Sequence, residues 1–340
     1  MRKFGDFWLF LLLFPLAIGA NAQNRVQGPA IDLLRGQIQQ ITDGVRASWG
    51  IYIRSLTTGE TVAINADQPM ETMSVIKVPI LVTAFRLMDA GKFKLSDPIA
   101  LTVAEKRFGT GVLQYLHDGL HLTVKDALTL MIIQSDNTAT DMMYDKVGGP
   151  PAVTQTMREL GLKAITSQQT GFEWFRALAA STDPTYANDS PTALFERGFP
   201  ETPTEDADFA RFDTDGKSPF GLASPHDIGD LLAKIVQGQA ATRSSCDQMM
   251  TILRQQQMRT RIPKYIEDEA DIGHKTGDFP PFIANDVGFV KTPRSTFVIA
   301  VFDDHYHGIY TNLEDAVARI TQQAFLYFNY HTSDGANPER

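Results

Sequence analysis

Apolar residues recur at helical spacing over residues 29–46, where Ile31, Leu33, Leu34, Ile38 and Ile41 predict an amphipathic helix. From residue 48 to 54 the period falls to two. The turn-rich Thr57-Thr58-Gly59-Glu60 separates that run from a second one at 61–65, so the pair reads as a β-hairpin. A helix starts at Ser74 and ends near Gly91. Between 94 and 162 the pattern is helical without a convincing strand, with one helix over 124–133 and another over 138–147 before Gly148-Gly149-Pro150. Residues 163–222 accumulate Pro, Asp, Thr and Ser and read as a long loop, whose one apolar island is 171–178. Helices are expected again at 225–238 and 244–256, and a strand at 271–276. Runs at 286–290 and 295–302 form a hairpin around Lys291-Thr292-Pro293-Arg294, and a closing helix covers 312–329. Strands therefore flank a helical insertion. The expectation is an α/β (α+β) fold, one mixed sheet layered with helices, with a sheet lobe at about 29–70 and 223–335 and an all-helical lobe at about 71–222.

Composition narrows the function classes. With 340 residues, 43% of them hydrophobic, the chain can bury a large core in one domain. Arg2 and Lys3 precede an apolar run over 7–20 that ends in Ala20-Asn21-Ala22, the form of a secretory leader cleaved after Ala22. The run, about fourteen residues, is too short to span a bilayer comfortably, so no stable membrane anchor is expected and the mature chain is placed in the periplasm or outside the cell. The formal net charge of −9, about −10 once Arg2, Lys3 and Asp6 are removed, argues against nucleic acid or anionic lipid as partner. Cys246 is the only cysteine and permits no internal disulfide. A monomer is expected.

The candidate chemistry starts at Met73-Ser74-Val75-Ile76-Lys77. On a helix, positions i and i+3 share a face, which brings the Ser74 hydroxyl and the Lys77 amine together. A lysine among Val75, Ile76, Val78, Ile80 and Leu81 loses its proton readily because burial disfavours the charge, and a neutral amine can activate a serine. Alone this pattern is common. Two further triplets, Ser135-Asp136-Asn137 and Lys275-Thr276-Gly277, follow it in order. Together the three are the signature of class A β-lactamases and penicillin-binding proteins, and the chain resembles that family from about Ile31 onward.

That resemblance implies a β-lactamase/transpeptidase-like fold with an antiparallel sheet, and a small β-lactam or peptidoglycan-like substrate handled without cofactor or metal. It assigns Ser74 as the acylated nucleophile and Lys77 as its partner. Ser135 relays a proton to the leaving nitrogen, and Asn137 bonds the substrate amide. Lys275 and Thr276 hold the substrate carboxylate, Gly277 leaves room along the strand, and the backbone NH groups of Ser74 and Asp278 form an oxyanion hole. Gly109-Thr110-Gly111-Val112-Leu113-Gln114, Ala223-Ser224-Pro225-His226-Asp227 and Asn285-Asp286-Val287-Gly288 also look like family segments. One departure stands out: hydrolytic members place E-x-x-x-N on the omega loop, and the family spacing lands near Gly171. Glu173 is the nearest acid, but Ala177 stands where asparagine belongs. The side chain of Asp278, beside the carboxylate site, is expected to weaken anion binding. The leading reading is a serine β-lactamase. Its rivals are a D-alanyl-D-alanine peptidase or other acyl hydrolase, and a sensor or trap that stays acylated. His117 with His121 and His305 with His307 are too far apart in sequence to suggest a metal site. Lys291, Arg294 and Arg211 are candidate second cations for a carboxylate, Met249, Met250, Phe325, Tyr327 and Phe328 are expected in the core, and Asp303-Asp304 is expected in solvent.

Overall fold

A computed structural model describes residues 29–201, 209–212 and 215–330. The expected leader lies outside the described residues. The chain opens with α1 (Pro29–Asp43), β1 (Ser48–Ser55), β2 (Thr61–Ile64) and the two-residue β3 (Met70–Glu71), then a 3₁₀ turn (Met73–Ile76) running into α2 (Lys77–Asp89). The helical lobe continues with β4 (Pro98–Ala100), β5 (His121–Thr123), α3 (Val124–Ile133), α4 (Asn137–Val147), α5 (Gly149–Glu159), β6 (Thr166–Ser167), α6 (Gly171–Thr182) and α7 (Pro191–Arg197). After β7 (Gly221–Ala223) come α8 (Pro225–Val236), α9 (Arg243–Arg254), β8 (Asp271–Phe279), β9 (Ile283–Lys291), β10 (Thr296–Asp304) and α10 (Tyr310–Tyr330).

The main sheet has the order β2-β1-β10-β9-β8, with its neighbouring strands antiparallel. It is antiparallel, as the resemblance implies, and not mixed. Both faces of the sheet are covered, which is why its strands read as apolar runs without clean alternation. Along β10, Phe297, Ile299 and Val301 pack with Leu34 and Ile38 of α1 and Val317 and Ile320 of α10. Val298, Ala300 and Phe302 belong to the opposite cluster, with Ile228 and Leu232 of α8 and the helical lobe. Met249, Met250, Phe325, Tyr327 and Phe328 are buried, as expected.

Three further expectations are corrected. Among the described residues, the segment 163–201 is not a loop: its polar residues start helices and turns. Thr170 caps α6 by accepting from the Glu173 NH, Asp183 caps a short 3₁₀ turn, and Ser190 caps α7, which has Pro191 in its first turn. The lobe also contains strand, because β4 and β5 pair through Ile99 and Leu122, but three residues each are too few to show a period. Thr123 then ends β5 and caps α3.

Asp303 is likewise not in solvent. It is wholly buried, its Oδ1 accepting from the Ala284 NH at 2.6 Å, and burial pushes its carboxyl up to about 7. The unfolded chain releases this proton near the ordinary carboxylate value while the folded chain keeps it, so between about pH 4 and 7 the folded state is progressively disfavoured. Asp303→Asn is therefore expected to gain stability over the parent as pH rises from 4 to 7, by roughly 1–4 kcal/mol at the upper end. Urea unfolding of both proteins across that range checks this, and a constant difference would refute it.

Candidate active site

The three motifs, separated by up to two hundred residues in the chain, meet at one hydroxyl. Ser135 Oγ lies 3.0 Å from Lys77 Nζ and 3.0 Å from Lys275 Nζ. Lys77 Nζ also donates to Ser135 O at 2.7 Å and to Asn137 Oδ1 at 2.8 Å, and Lys275 Nζ donates to Thr276 O at 2.7 Å. Both lysine side chains are wholly buried. Burial first, and then the neighbouring Lys275 charge, holds the Lys77 amine well below the usual lysine range; burial also lowers Lys275, to about 8. Ser74 is partly exposed at the cleft floor. It lies in the 3₁₀ turn, so the α-helix proper begins only at Lys77 and not at Ser74 as the spacing suggested. Pro79 falls in the first turn of that helix, where no partner for its missing NH is lost.

Several contacts fix this arrangement. Met73 and Ser135 both adopt left-handed backbone angles, φ 44° and 55°, which non-glycine residues hold only when their surroundings enforce it. The Met73 NH donates to Glu71 Oε1 at 3.1 Å, and that carboxylate also accepts from the Phe220 and Gly221 NH groups. Asn285 Nδ2 reaches the Glu71 carbonyl at 2.8 Å, while its Oδ1 accepts from the Asp303 NH. The sheet is thus tied directly to the turn that carries Ser74. Asp136 is also structural: its Oδ2 accepts from the Val112 and Leu113 NH groups and its Oδ1 caps α4. Thr110 in that same turn donates to Ser135 O at 2.7 Å.

Gly277 is required for a different reason than the one expected. A Cβ there would stand 2.5 Å from Thr72 O and 3.2 Å from Ser74 N, so the glycine lets β8 close onto the 3₁₀ turn. Thr276 is buried with its Oγ1 unpartnered, and it is not among the residues lining the cleft. Asn137, which lines the cleft, has its amide engaged by Lys77 and by Phe108 O at 2.8 Å.

Gly171 and Glu173 bear on the missing glutamate. A Cβ on Gly171 would meet Asp141 Oδ1 at 2.8 Å. Asp141, one turn beyond Asn137 on α4, is ion-paired with Arg107 and accepts from the Gly171 and Phe172 NH groups at 2.6 and 2.8 Å. Glu173 is exposed, and its carboxylate accepts from Thr170 N and Oγ1 at 2.8 and 3.0 Å, completing a capping box. It is not among the residues lining the cleft, although its neighbours Trp174 and Phe175 are.

The model of the β-lactamase enzyme family matches residues 33–328. The chain belongs to that family. Among solved structures, the β-lactamase of Sphaerobacter thermophilus aligns with a TM-score of 0.69 at 29% identity, over 87% of this chain and 96% of that one. PBP-A aligns with a TM-score of 0.65 at 25% identity, over 86% and 96%. The extended-spectrum β-lactamase PER-1 of Pseudomonas aeruginosa is 26% identical over 134 residues, 38% of this chain and 44% of that enzyme. A β-lactamase of Streptomyces lavendulae is 32% identical over 135 residues, 38% and 43%. The matched stretch thus spans less than half of these curated relatives. The fold implied by the three motifs is the fold the chain has.

Within this β-lactamase-family cleft, the anion on Asp278 has a partner that sequence reasoning missed. Arg261, wholly buried between α9 and β8, ion-pairs with Asp278 and donates to Asn285 O at 2.7 Å and Tyr310 Oη at 2.9 Å. Glu314 Oε1 stands 3.3 Å away on the same guanidinium. Burial opposes ionisation of Asp278, but Arg261 and the Tyr310 hydroxyl, which donates to Oδ1 at 2.6 Å, hold its carboxyl below the usual range. Lys291 is exposed, Arg294 Nη1 donates to Asn329 O, and Arg211 Nη2 donates to Ser181 O. None of these three lines the cleft.

Because the atoms facing Gly277 are backbone and cannot swing aside, Gly277→Ala is expected to destabilise the protein by about 1–3 kcal/mol, although alanine is ordinarily the better strand residue. Urea melts of the two proteins decide this. An unchanged midpoint would contradict the close approach.

Proposed function

We propose that the protein is a serine hydrolase of β-lactams that opens the lactam amide through an acyl-Ser74 intermediate and releases that intermediate slowly. The observation that carries this reading is the meeting of Lys77, Ser135 and Lys275 at one hydroxyl, in the cleft that Ser74 also lines. Lys77, kept neutral by burial and by the Lys275 charge, takes the Ser74 proton as the oxygen attacks the carbonyl carbon. The proton passes through Ser135 to the lactam nitrogen as the C–N bond breaks. Backbone NH groups of Ser74 and Asp278 stabilise the oxyanion, with β8 held against the 3₁₀ turn by Gly277. Lys275, whose amine sits behind the Ser135 hydroxyl, supplies the positive charge for a substrate carboxylate, and Asn137 lines the cleft for the substrate amide, whereas Thr276 is buried away from the cleft and is left out of these contacts.

Slow release follows from the surroundings of Gly171 and Glu173. Activating water needs a carboxylate within hydrogen-bond reach of it. Glu173 is committed to its helix cap, and Asp278 and Glu314, which do line the cleft, are committed to Arg261. Export as a periplasmic or secreted enzyme, with a leader removed after Ala22, belongs to the same proposal. Among the described residues no helix is long and apolar enough to cross a membrane.

Intact-protein mass spectrometry with benzylpenicillin, beside the absorbance of free drug, tests the reading. The expected result is a stoichiometric adduct that forms fast and decays over minutes, is absent in Ser74→Ala, and decays equally slowly in Glu173→Gln. Loss of drug without a detectable adduct, or an adduct in Ser74→Ala, would overturn it.

A further inference from the structure

The strand that carries Lys275 has a second polar face. Side chains alternate along β8, so Gly273, Lys275 and Gly277 turn toward the Ser74 side, while Ile272, His274 and Thr276 turn toward α1 and α10. On that rear face His274 is buried, and its Nδ1 lies 2.9 and 3.0 Å from the two carboxylate oxygens of Asp286 on β9. Asp286 is buried as well, and its Oδ2 also accepts from the Ile262 NH at 3.0 Å, one residue after Arg261. Gly288, the cross-strand partner of His274, makes the room: a Cβ there would stand 2.7 Å from the His274 Cβ and 2.6 Å from Gly273 O. One carboxylate thus ties β8, β9 and the 261–262 segment together behind Lys275.

The charge on this pair follows from its orphaned atom. His274 Nε2 is buried and has no hydrogen-bond partner among the described residues. A neutral imidazole with its proton on Nδ1 leaves only a lone pair unmet there, whereas an imidazolium would leave a charged N–H donor unmet in a dry interior, which costs more. The neutral form donates to Asp286 without cancelling its charge. Other ionisable groups on this face are engaged elsewhere. Asp278, Tyr310 and Glu314 gather on Arg261, which also feels Asp286 but directs its contacts to them, and burial keeps Asp303 protonated up to about pH 7.

Lys275 lacks a counter-charge at its own end. Its amine donates to Ser135 Oγ and Thr276 O and, among the described residues, touches no carboxylate; Lys77 stands across the same hydroxyl, and Asp136 is taken up by backbone NH groups. Burial lowers the Lys275 amine to about 8 against the opposing pull of Asp278 and Asp286. Asp278 is paired in contact with Arg261, which leaves Asp286 as the acid with no cation at its side. We propose that Asp286, oriented by His274, is a positioning residue for acylation: it anchors the strand that presents Lys275 and supplies, through that strand, a counter-charge for its amine. The proposal rests on the acyl-Ser74 reading and adds to it a residue that does not line the cleft.

The pH profile of acylation by benzylpenicillin, read by mass spectrometry, tests this, because a residue that only braced the sheet would lower the rate at every pH without moving the limb. In the parent the second-order rate falls as pH rises through about 8. In Asp286→Asn, which keeps the shape and removes the charge, that alkaline limb is expected to move down by about one pH unit, so that the rate drops about fivefold at pH 8 and little at pH 6. His274→Asn, whose amide nitrogen takes the place of Nδ1, is expected to keep the limb near the parent's. Calorimetric binding of benzylpenicillin to Ser74→Ala, with and without Asp286→Asn, follows the same charge without the acyl step. A shifted limb there with no acylation of the parent would uphold the role of Asp286 and sink the acyl-serine reading. Nitrogen-15 NMR of the histidine-labelled parent needs no core substitution and is expected to find His274 protonated at Nδ1 alone at pH 7. An imidazolium at His274, or a limb unmoved in folded Asp286→Asn, would overturn the proposal.

Discussion

Two buried lysine amines share one serine hydroxyl, and the rest of the site is arranged around that constraint. Ser135 Oγ has a single proton, and with Lys77 and Lys275 each 3.0 Å away it donates to one amine only if that amine is neutral. If Lys77 is the neutral one, its two N–H bonds match its two other acceptors, Ser135 O and Asn137 Oδ1, and its lone pair accepts from Ser135. Lys275 then keeps its charge and donates to Ser135 Oγ and Thr276 O. Each Lys77 and Ser135 proton at the junction then has a partner, as do two of the three Lys275 protons. Two ammonium groups there would leave an unrelieved repulsion in a dry interior, where it is least screened.

Holding that junction needs three parts of the chain fixed to one another. Asp136 secures the Ser135 turn to the 110–113 segment, and Gly277 lets β8 approach the Ser74 turn. Asn285 binds the main sheet to the same turn, and the Glu71 carboxyl, which burial pushes up to about 8, binds β7 and the residue before it to that turn. The strain at Met73 and Ser135 is maintained by this scaffold, and the two-faced burial of the central sheet keeps the scaffold stiff. The Arg261–Asp278–Glu314 group completes the balance, since each buried charge faces an opposite one.

Much of this was legible in the chain because its signals are local. The Ser-x-x-Lys spacing, the Ser135-Asp136-Asn137 and Lys275-Thr276-Gly277 triplets and the periods of α1, α3, α8 and α10 each fit within a few residues. What escaped was set by distant contacts or by dual-purpose residues. Polar residues at 170, 183 and 190 read as loop, yet each one starts a helix or turn. Arg261 carries no motif, and only the fold brings it to Asp278. Asp141 is one helical turn from Asn137, a spacing that is visible in the sequence, but its grip on Gly171 depends on where α6 packs. Asp303 looked solvated because two adjacent acids usually are, and only strand alternation at the end of β10 turns one of them inward.

The central claim is that Lys77 works neutral while Lys275 works charged, and the pH dependence of single-turnover acylation tests it most directly. With Lys275 lowered to about 8 by burial, the second-order rate for benzylpenicillin should fall as pH rises through about 8. In Lys275→Arg, whose charge persists, that alkaline limb should move upward or vanish. A parent rate that stays flat or climbs through pH 9.5, or a limb unmoved by Lys275→Arg, would contradict the division of charge between the two lysines.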